Sequence, residues 1–322
     1  MNAVIIRKGW FSNVFKLEEV QTPEIKDDEV LLTISGIGVT KNDFLKGIDV
    51  CPGIECSGVI AIVGRNVQNW KAGERVCALL DGGAYAEQAA VPAKFLLRVP
   101  ESITLEDAAC LPYIACNIWL ALFTKEDIMP PLKEETILIR EGASGIGSLA
   151  IQFAKYKGMK VIAAAGTDQE LTHCQRYGAD VCINHTNKDF VELVKKETKG
   201  LGVNFVLDYG NQNFYENTLC CDRLGKVPII NLRGFEKIML SFETIGLMHL
   251  QYYVVDILSK SRDEKAKVID EVRKSLWPVV QDLDVVIEAP YSLRDAHNAN
   301  KALKRSNLAN FILFNVHTKR ND

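Results

Sequence analysis

Between Thr136 and Lys155 the chain reads TILIREGASGIGSLAIQFAK, and this stretch constrains the fold more than any other. Its first residues are β-prone and apolar, as in a short strand. Gly142, Gly145 and Gly147 then require a tight turn. From Ser148 the apolar period becomes helical, through Leu149, Ile151, Phe153 and Ala154, with no breaker before Gly158. Strand, glycine turn and helix in that order present backbone N–H groups at a helix N-terminus. The amides and the helix dipole both favour an anion there, and a dinucleotide pyrophosphate is the anion this geometry commonly holds. The same turn without a ligand is the alternative, and the strand–turn–helix context weighs against it.

What surrounds that unit extends the pattern. From residue 136 to 231 strand and helix alternate. Strands are expected at 136–140, 160–164, 181–183, 204–207 and 226–231, with helices at 148–157, 168–177, 188–198 and about 213–223. Such alternation implies a doubly wound α/β parallel sheet covered by helices on both faces. Residues 1–110 instead carry short strand signals at 3–7, 29–37, 58–63, 75–80, 84–91 and 95–99, separated by Gly, Pro, Asn and Asp. They predict a twisted, partly closed antiparallel β domain. Thr104-Leu-Glu-Asp107 resembles a capping box with Asp in the third helical position. After the α/β region come a strand at 250–257, a helix at about 262–281, a short helix at about 292–304 and a strand at 310–316. This tail is too small to stand alone, so it is expected to fold back on the first domain. The expected boundaries are 1–115 with 259–322 for the β-rich domain and 116–258 for the α/β domain.

The chain has 322 residues, 48% of them hydrophobic, which suffices for two domains with proper cores. Its net charge is −3, from 38 basic and 41 acidic residues, and gives no reason to expect nucleic acid or an anionic membrane as partner. No apolar run reaches the roughly 18–20 residues that cross a bilayer. The first residues read as a strand rather than a signal peptide, and the last match no retention, peroxisomal or prenylation signal. A cytosolic protein is expected. Nine cysteines are present and none forms a CxxC pair. Metal-ligand spacing is therefore missing, and most of the thiols read as reduced, buried small hydrophobes. Cys51 and Cys56, near an expected loop, are the candidates for a reactive thiol. No metal site is expected.

With these pieces in order, the chain resembles the medium-chain dehydrogenase/reductases, and most closely their zinc-free quinone oxidoreductase branch, the zeta-crystallin-like reductases. The resemblance rests on Lys26–Leu32, Pro52–Val59, Trp70–Leu80, Gly82–Glu87, Gly142–Lys155, Tyr177–Asn184 and Gly202–Asp208. It covers most of the chain, and Leu276-Trp-Pro278 resembles the plant members. It implies a Rossmann domain joined to a GroES-like domain, a homodimer paired through strand 250–257, NADPH as cofactor, and hydride transfer to a quinone or α,β-unsaturated carbonyl. Relatives with catalytic zinc have Gly-His-Glu where this chain has Gly53-Ile54-Glu55, and Cys where it has Thr40 or Lys41. An Ile offers zinc no ligand atom.

Against the family pattern, the cofactor region departs in several places. Glu141 replaces a small residue at the glycine turn. A carboxylate about 4 Å from a phosphate repels it by ~1 kcal/mol in water and ~4 at an effective dielectric of 20. The family's Gly-Ser/Thr-x-x-Lys clamp reads Gly166-Thr167-Asp168-Gln169-Glu170 here, which reverses the charge that would meet a 2′-phosphate. His185 stands for a Tyr. Thr40, Asn117, Asn231 and Asn310 stand at further positions that differ. Ser144, Gly145, Gly147 and Asp208 keep the family's turn and strand end.

The resemblance thus places the cofactor on Ser144, Gly145, Ile146, Gly147, Gly166, Thr167, Glu170, His185, Asn231 and Asn310, and the reacting groups at Thr40, Tyr113 and Asn117. Thr40 or Tyr113 would donate to the developing enolate oxygen. Asp43 is a further substrate contact, and Tyr85 is either a donor or a packed strand aromatic. Three functions are compatible with the departures: a retuned reductase, with NADH possible in place of NADPH; a non-redox cyclase, isomerase or eliminase; and a non-catalytic binding protein.

Overall fold

The structure is a computed structural model and describes residues 1–8, 14–40, 43, 49–124, 135–208, 214–230, 242–285, 287–305 and 311–315. The chain divides into two compact units. One holds Met1–Cys116, Lys260–Gln281 and Val286–Asp322, and the other Asn117–Ser259 and Asp282–Val285. Among the described residues no helix is long and apolar enough to cross a membrane.

In chain order the first unit begins with β1 (Asn2–Arg7), β2 (Val14–Glu19), β3 (Glu29–Val39), β4 (Glu55–Val63), β5 (Arg75–Leu79), β6 (Gln88–Pro92) and β7 (Leu96–Arg98). Two helices follow, α1 (Leu105–Ala108) and α2 (Pro112–Leu122), the second running into the other unit. Thr104 caps α1 by accepting from Asp107 N, and the Asp107 carboxylate accepts from the Thr104 hydroxyl, so the cap forms without the reciprocal bond of the expected capping box. The second unit continues as β8 (Thr136–Ile139), α3 (Gly145–Tyr156), β9 (Lys160–Ala165), α4 (Asp168–Arg176), β10 (Val181–Asn184), α5 (Phe190–Glu197), β11 (Val203–Leu207), α6 (Phe214–Cys220), β12 (Cys221–Ile230), α7 (Phe242–Met248) and β13 (Gln251–Val255). The tail supplies α8 (Arg262–Ser275), β14 (Ile287–Ser292), α9 (Ala296–Arg305) and β15 (Phe311–Asn315).

Unit by unit, the sheets explain the sequence patterns. In the first unit a seven-stranded, mostly antiparallel sheet runs β14-β15-β3-β4-β5-β7, with β6 also on β3. β3 has partners along its whole length, and its residues are buried on both faces rather than alternately. The tail strand β15 pairs antiparallel with β3, so the tail does return to the β-rich unit. Helix α8 is held to that unit by Lys265 and Arg262 on Asp81, and Trp277 donates to Arg98 O at 2.6 Å.

A six-stranded parallel sheet forms the second unit, in the order β10-β9-β8-β11-β12-β13. Strand order reverses between β8 and β11, and that is where open α/β sheets bind ligands, at the C-terminal strand ends. Under α5 and α6, Leu138, Ile162, Phe190, Val194, Val206 and Val227 form one buried cluster. Each such side chain is worth about 1.5–3 kcal/mol of burial.

Some expected elements shift. The expected helix at 213–223 ends at Cys220, and β12 starts at once with Cys221. The strand expected at 84–91 begins only at Gln88. Ala84–Glu87 bonds instead to Pro52, Gly53 and the first strand, for example Val4 N to Tyr85 O at 2.8 Å. β2 had no counterpart in the sequence reading.

Candidate functional site

The glycine turn is built from its backbone. β8 ends at Ile139, and Glu141 takes the left-handed region at φ 50. Ser144 N donates to Glu141 O at 2.9 Å, and the Ser144 side chain caps α3 by accepting from Gly147 N at 3.1 Å. A Cβ on Gly147 would lie 2.2 Å from Glu141 O, so only glycine allows the chain to double back this closely. The first-turn amides of Gly145 and Ile146 precede the first helical hydrogen bond, and α3 itself gives them no acceptor. They and the dipole of a 12-residue helix form an anion cradle at the β8–α3 corner. These residues fit a pyrophosphate: Ser144 shapes the turn, Gly147 opens it, and Gly145 and Ile146 supply donors.

At the β9–α4 corner the arrangement differs. Thr167 and Glu170 form a full capping box. Thr167 Oγ1 accepts from Glu170 N at 3.3 Å. Glu170 Oε2 accepts from both Gly166 N and Thr167 N, each at 3.0 Å. His185, just past β10, approaches Glu141, with Nδ1 3.4 Å from Oε1. Arg176, the nearest arginine in sequence to the clamp, pairs with Asp284 at 2.5 Å. Cys174, beneath the turn, is pushed up to about 12 by burial.

Within the first unit a second polar group surrounds Glu55. Thr40 N donates to Asp43 Oδ2 at 2.6 Å, and Tyr85 Oη reaches the same oxygen at 3.5 Å. Glu55 Oε2 accepts from Tyr113 N, in the first turn of α2, at 2.9 Å. Asp43, Glu55 and Tyr85 are wholly buried and Tyr113 nearly so. Burial drives the Glu55 carboxyl well above the usual carboxylate range; the Tyr113 amide opposes this and the Asp43 charge adds to it. Burial likewise raises the Tyr85 phenol, helped by Asp43.

In the other unit, Asn117 is buried, and its Oδ1 accepts from Ile257 N at 3.0 Å, tying α2 to the segment after β13. Asn231 and Asn310 lie outside the described residues.

The sequence reading passed over Arg140. Its side chain is fully buried at the end of β8, with no hydrogen-bond partner for Nε or Nη1 among the described residues, Nη2 3.4 Å from Glu216, and the guanidinium 4.5 Å from the Phe190 ring centre. It also read Glu170 only as a ligand contact, although Thr-x-x-Glu is itself a capping signature. Cys51 is half-buried and raised to about 12 by burial, and Cys56 is raised further. A thiol so shifted is a poor nucleophile.

A cavity of about 790 Å³ lies elsewhere in the first unit, lined by Trp70, Trp277, Arg98 and Arg273. Its arginines are engaged with Glu74, Asp270 and Leu96 O. No group of three His, Cys, Asp or Glu among the described residues is placed to hold a metal ion.

Known proteins match this architecture. Residues 145–274 match the zinc-binding dehydrogenase family, and residues 26–101 match the alcohol dehydrogenase GroES-like domain. A 2-haloacrylate reductase from Burkholderia sp is 30% identical, over 69% of this chain and 70% of its own length. A quinone oxidoreductase from Sus scrofa is 28% identical, over 73% and 74%. The Escherichia coli quinone oxidoreductase solved in complex with NADPH superposes with a TM-score of 0.80 at 22% identity, covering 98% of this chain and 99% of that one, and so shares the fold. The chain belongs to the medium-chain dehydrogenase/reductase superfamily, on its quinone oxidoreductase-like branch.

Proposed function

We propose that the protein is a zinc-independent reductase that uses a nicotinamide nucleotide to reduce a quinone or an α,β-unsaturated carbonyl compound. The observation that carries this reading is the anion cradle at the start of α3, placed where strand order reverses in the parallel sheet. A bound nicotinamide would supply the hydride. The chain's own residues hold the pyrophosphate, through Gly145 and Ile146 with Ser144 and Gly147 shaping the turn. They must also stabilise charge on the carbonyl oxygen. Thr40, half-buried beside Asp43, is the proposed donor, with Tyr113 second. Ile54, wholly buried, offers no metal ligand at its position. The names of the relatives support the substrate class, since a 2-haloacrylate and a quinone each place a carbon–carbon double bond in conjugation with a carbonyl.

The proposal includes a cytosolic homodimer. Among the described residues β13 is the last strand of its sheet, and Val254 and Leu247 near it are 50% and 72% exposed. An edge of this kind pairs with its own copy about a two-fold axis. The nine unbridged cysteines suit the cytosol.

Calorimetry with NADH and NADPH, followed by turnover on a panel of quinones and enones, tests the reading. Micromolar binding of either nucleotide and consumption of the reduced form are the expected results. No binding at millimolar nucleotide sinks it in favour of a non-redox enzyme, the reading that the carboxylates of Glu141 and Glu170 would then favour. Unchanged turnover in both Thr40→Val and Tyr113→Phe would remove those two residues from the chemistry.

A further inference from the structure

We propose that the β9–α4 corner selects an adenosine ribose without a 2′-phosphate, so that NADH rather than NADPH is the nucleotide of the reductase reading, on which this inference rests. In a doubly wound sheet the adenosine ribose lies at the end of the second strand, some 20 residues beyond the glycine turn. Here that strand is β9, which ends at Ala165, and the corner is Gly166 and Thr167. A phosphate on the ribose needs amide donors or a cation. Both amides are already taken by Glu170 Oε2, and Thr167 Oγ1 is taken by Glu170 N. The carboxylate fills from inside the protein the place an external anion would take.

A second observation comes from other strands. Glu141, between β8 and the glycine turn, meets His185, beyond β10, at 3.4 Å. His185 Nε2 stands 3.1 Å from where a Cβ on Gly166 would be, so this pair borders the same corner. Among the described residues the rim therefore carries two carboxylates and one imidazole, and Arg176 is committed to Asp284. A 2′-phosphate meets repulsion here. A 2′-hydroxyl meets none and can donate to a carboxylate oxygen.

Calorimetry of the full chain with NADH, NADPH, ADP-ribose and 2′-phospho-ADP-ribose tests this without turnover. The expected result is about tenfold weaker binding, or worse, for each 2′-phosphorylated ligand than for its partner. One carboxylate at ~4 Å is worth about fivefold in water and more where half-buried. Glu170→Gln removes the charge and keeps the cap, because Gln serves the third helical position as Glu does. It should narrow the gap by about fivefold, and added salt should narrow it in the wild type more than in the variant. NADPH binding as tightly as NADH overturns the inference and leaves the reductase reading standing. So does a gap that Glu170→Gln leaves unchanged. No binding of any of the four at millimolar concentration overturns both.

Discussion

Replacing Glu55 by Gln should change how the stability of the protein depends on pH. Glu55 is wholly buried at the start of β4, with one oxygen on Tyr113 N and the other, Oε1, without a hydrogen-bond partner among the described residues. Its surroundings leave no slack: a Cβ on Gly38 would come within 2.5 Å of Oε1. Burial is the main cause of its raised pKa, with the Tyr113 amide opposing and Asp43 reinforcing. The folded carboxyl thus keeps its proton at pH values where the unfolded chain, near pH 4.3, has released it. The folded state then binds more protons than the unfolded one. The contribution of Glu55 is greatest below the unfolded value and declines by about 1.4 kcal/mol per pH unit as pH rises toward the folded value. Gln copies the neutral acid in shape and still accepts from Tyr113 N. Urea unfolding of wild type and Glu55→Gln as pH rises from about 5 should show the variant gaining on the wild type, by at most about 1.4 kcal/mol per unit and until the folded carboxyl has ionised. Parallel stability curves across that range would refute a protonated Glu55.

Arg140→Met should leave stability within about 1 kcal/mol or raise it, because among the described residues two buried guanidinium nitrogens have no hydrogen-bond partner and the contact to Glu216 is long; a loss of several kcal/mol in urea unfolding would mean the charge is properly paired. Asp81→Ala should cost about 3 kcal/mol, since it strands the ammonium of Lys265, which is 5% exposed. Burial pushes Asp81 up, but Lys265 and Arg262 together hold it below its ordinary value. Its stabilisation is therefore full above the unfolded pKa and is lost as pH falls through the folded one, and an acid titration of wild type against Asp81→Ala should show that difference vanish at low pH. Thr167→Ala should cost about 1 kcal/mol by removing the cap of α4, read as a lower urea midpoint; no change would mean the cap contributes little.

How far the sequence disclosed this protein depended on the range of the forces involved. The β8–turn–α3 unit was legible because strand alternation, three glycines and a helical period are local and agree with one another. β3 was legible in position, though its burial on both faces follows from partners far away in sequence, among them β15. The end of α6 was not legible. Cys220 and Cys221 carry no breaker between them, and it is the parallel pairing of β12 with β11 and β13 that draws the chain into a strand. At the site one motif served two ends. Thr167-Asp-Gln-Glu170 falls where the family has its phosphate clamp and also spells a capping box, and in the structure the carboxylate satisfies backbone amides. The burial of Arg140, Asp43 and Glu55 was invisible, because charged side chains read as surface until tertiary packing encloses them.

The cysteines make the protein its own reporter of motion. Seven of the nine thiols are buried, and burial raises Cys220 in the second unit to about 12 and Cys56 in the first further still. A thiol reacts as the thiolate, so alkylation must wait for the surrounding structure to open. Cys56, Cys77 and Cys110 are enclosed in one unit, and Cys174, Cys220 and Cys221 in the other. A single labelling time course, resolved peptide by peptide, would therefore give the opening frequency of each unit separately, with no probe added to the chain.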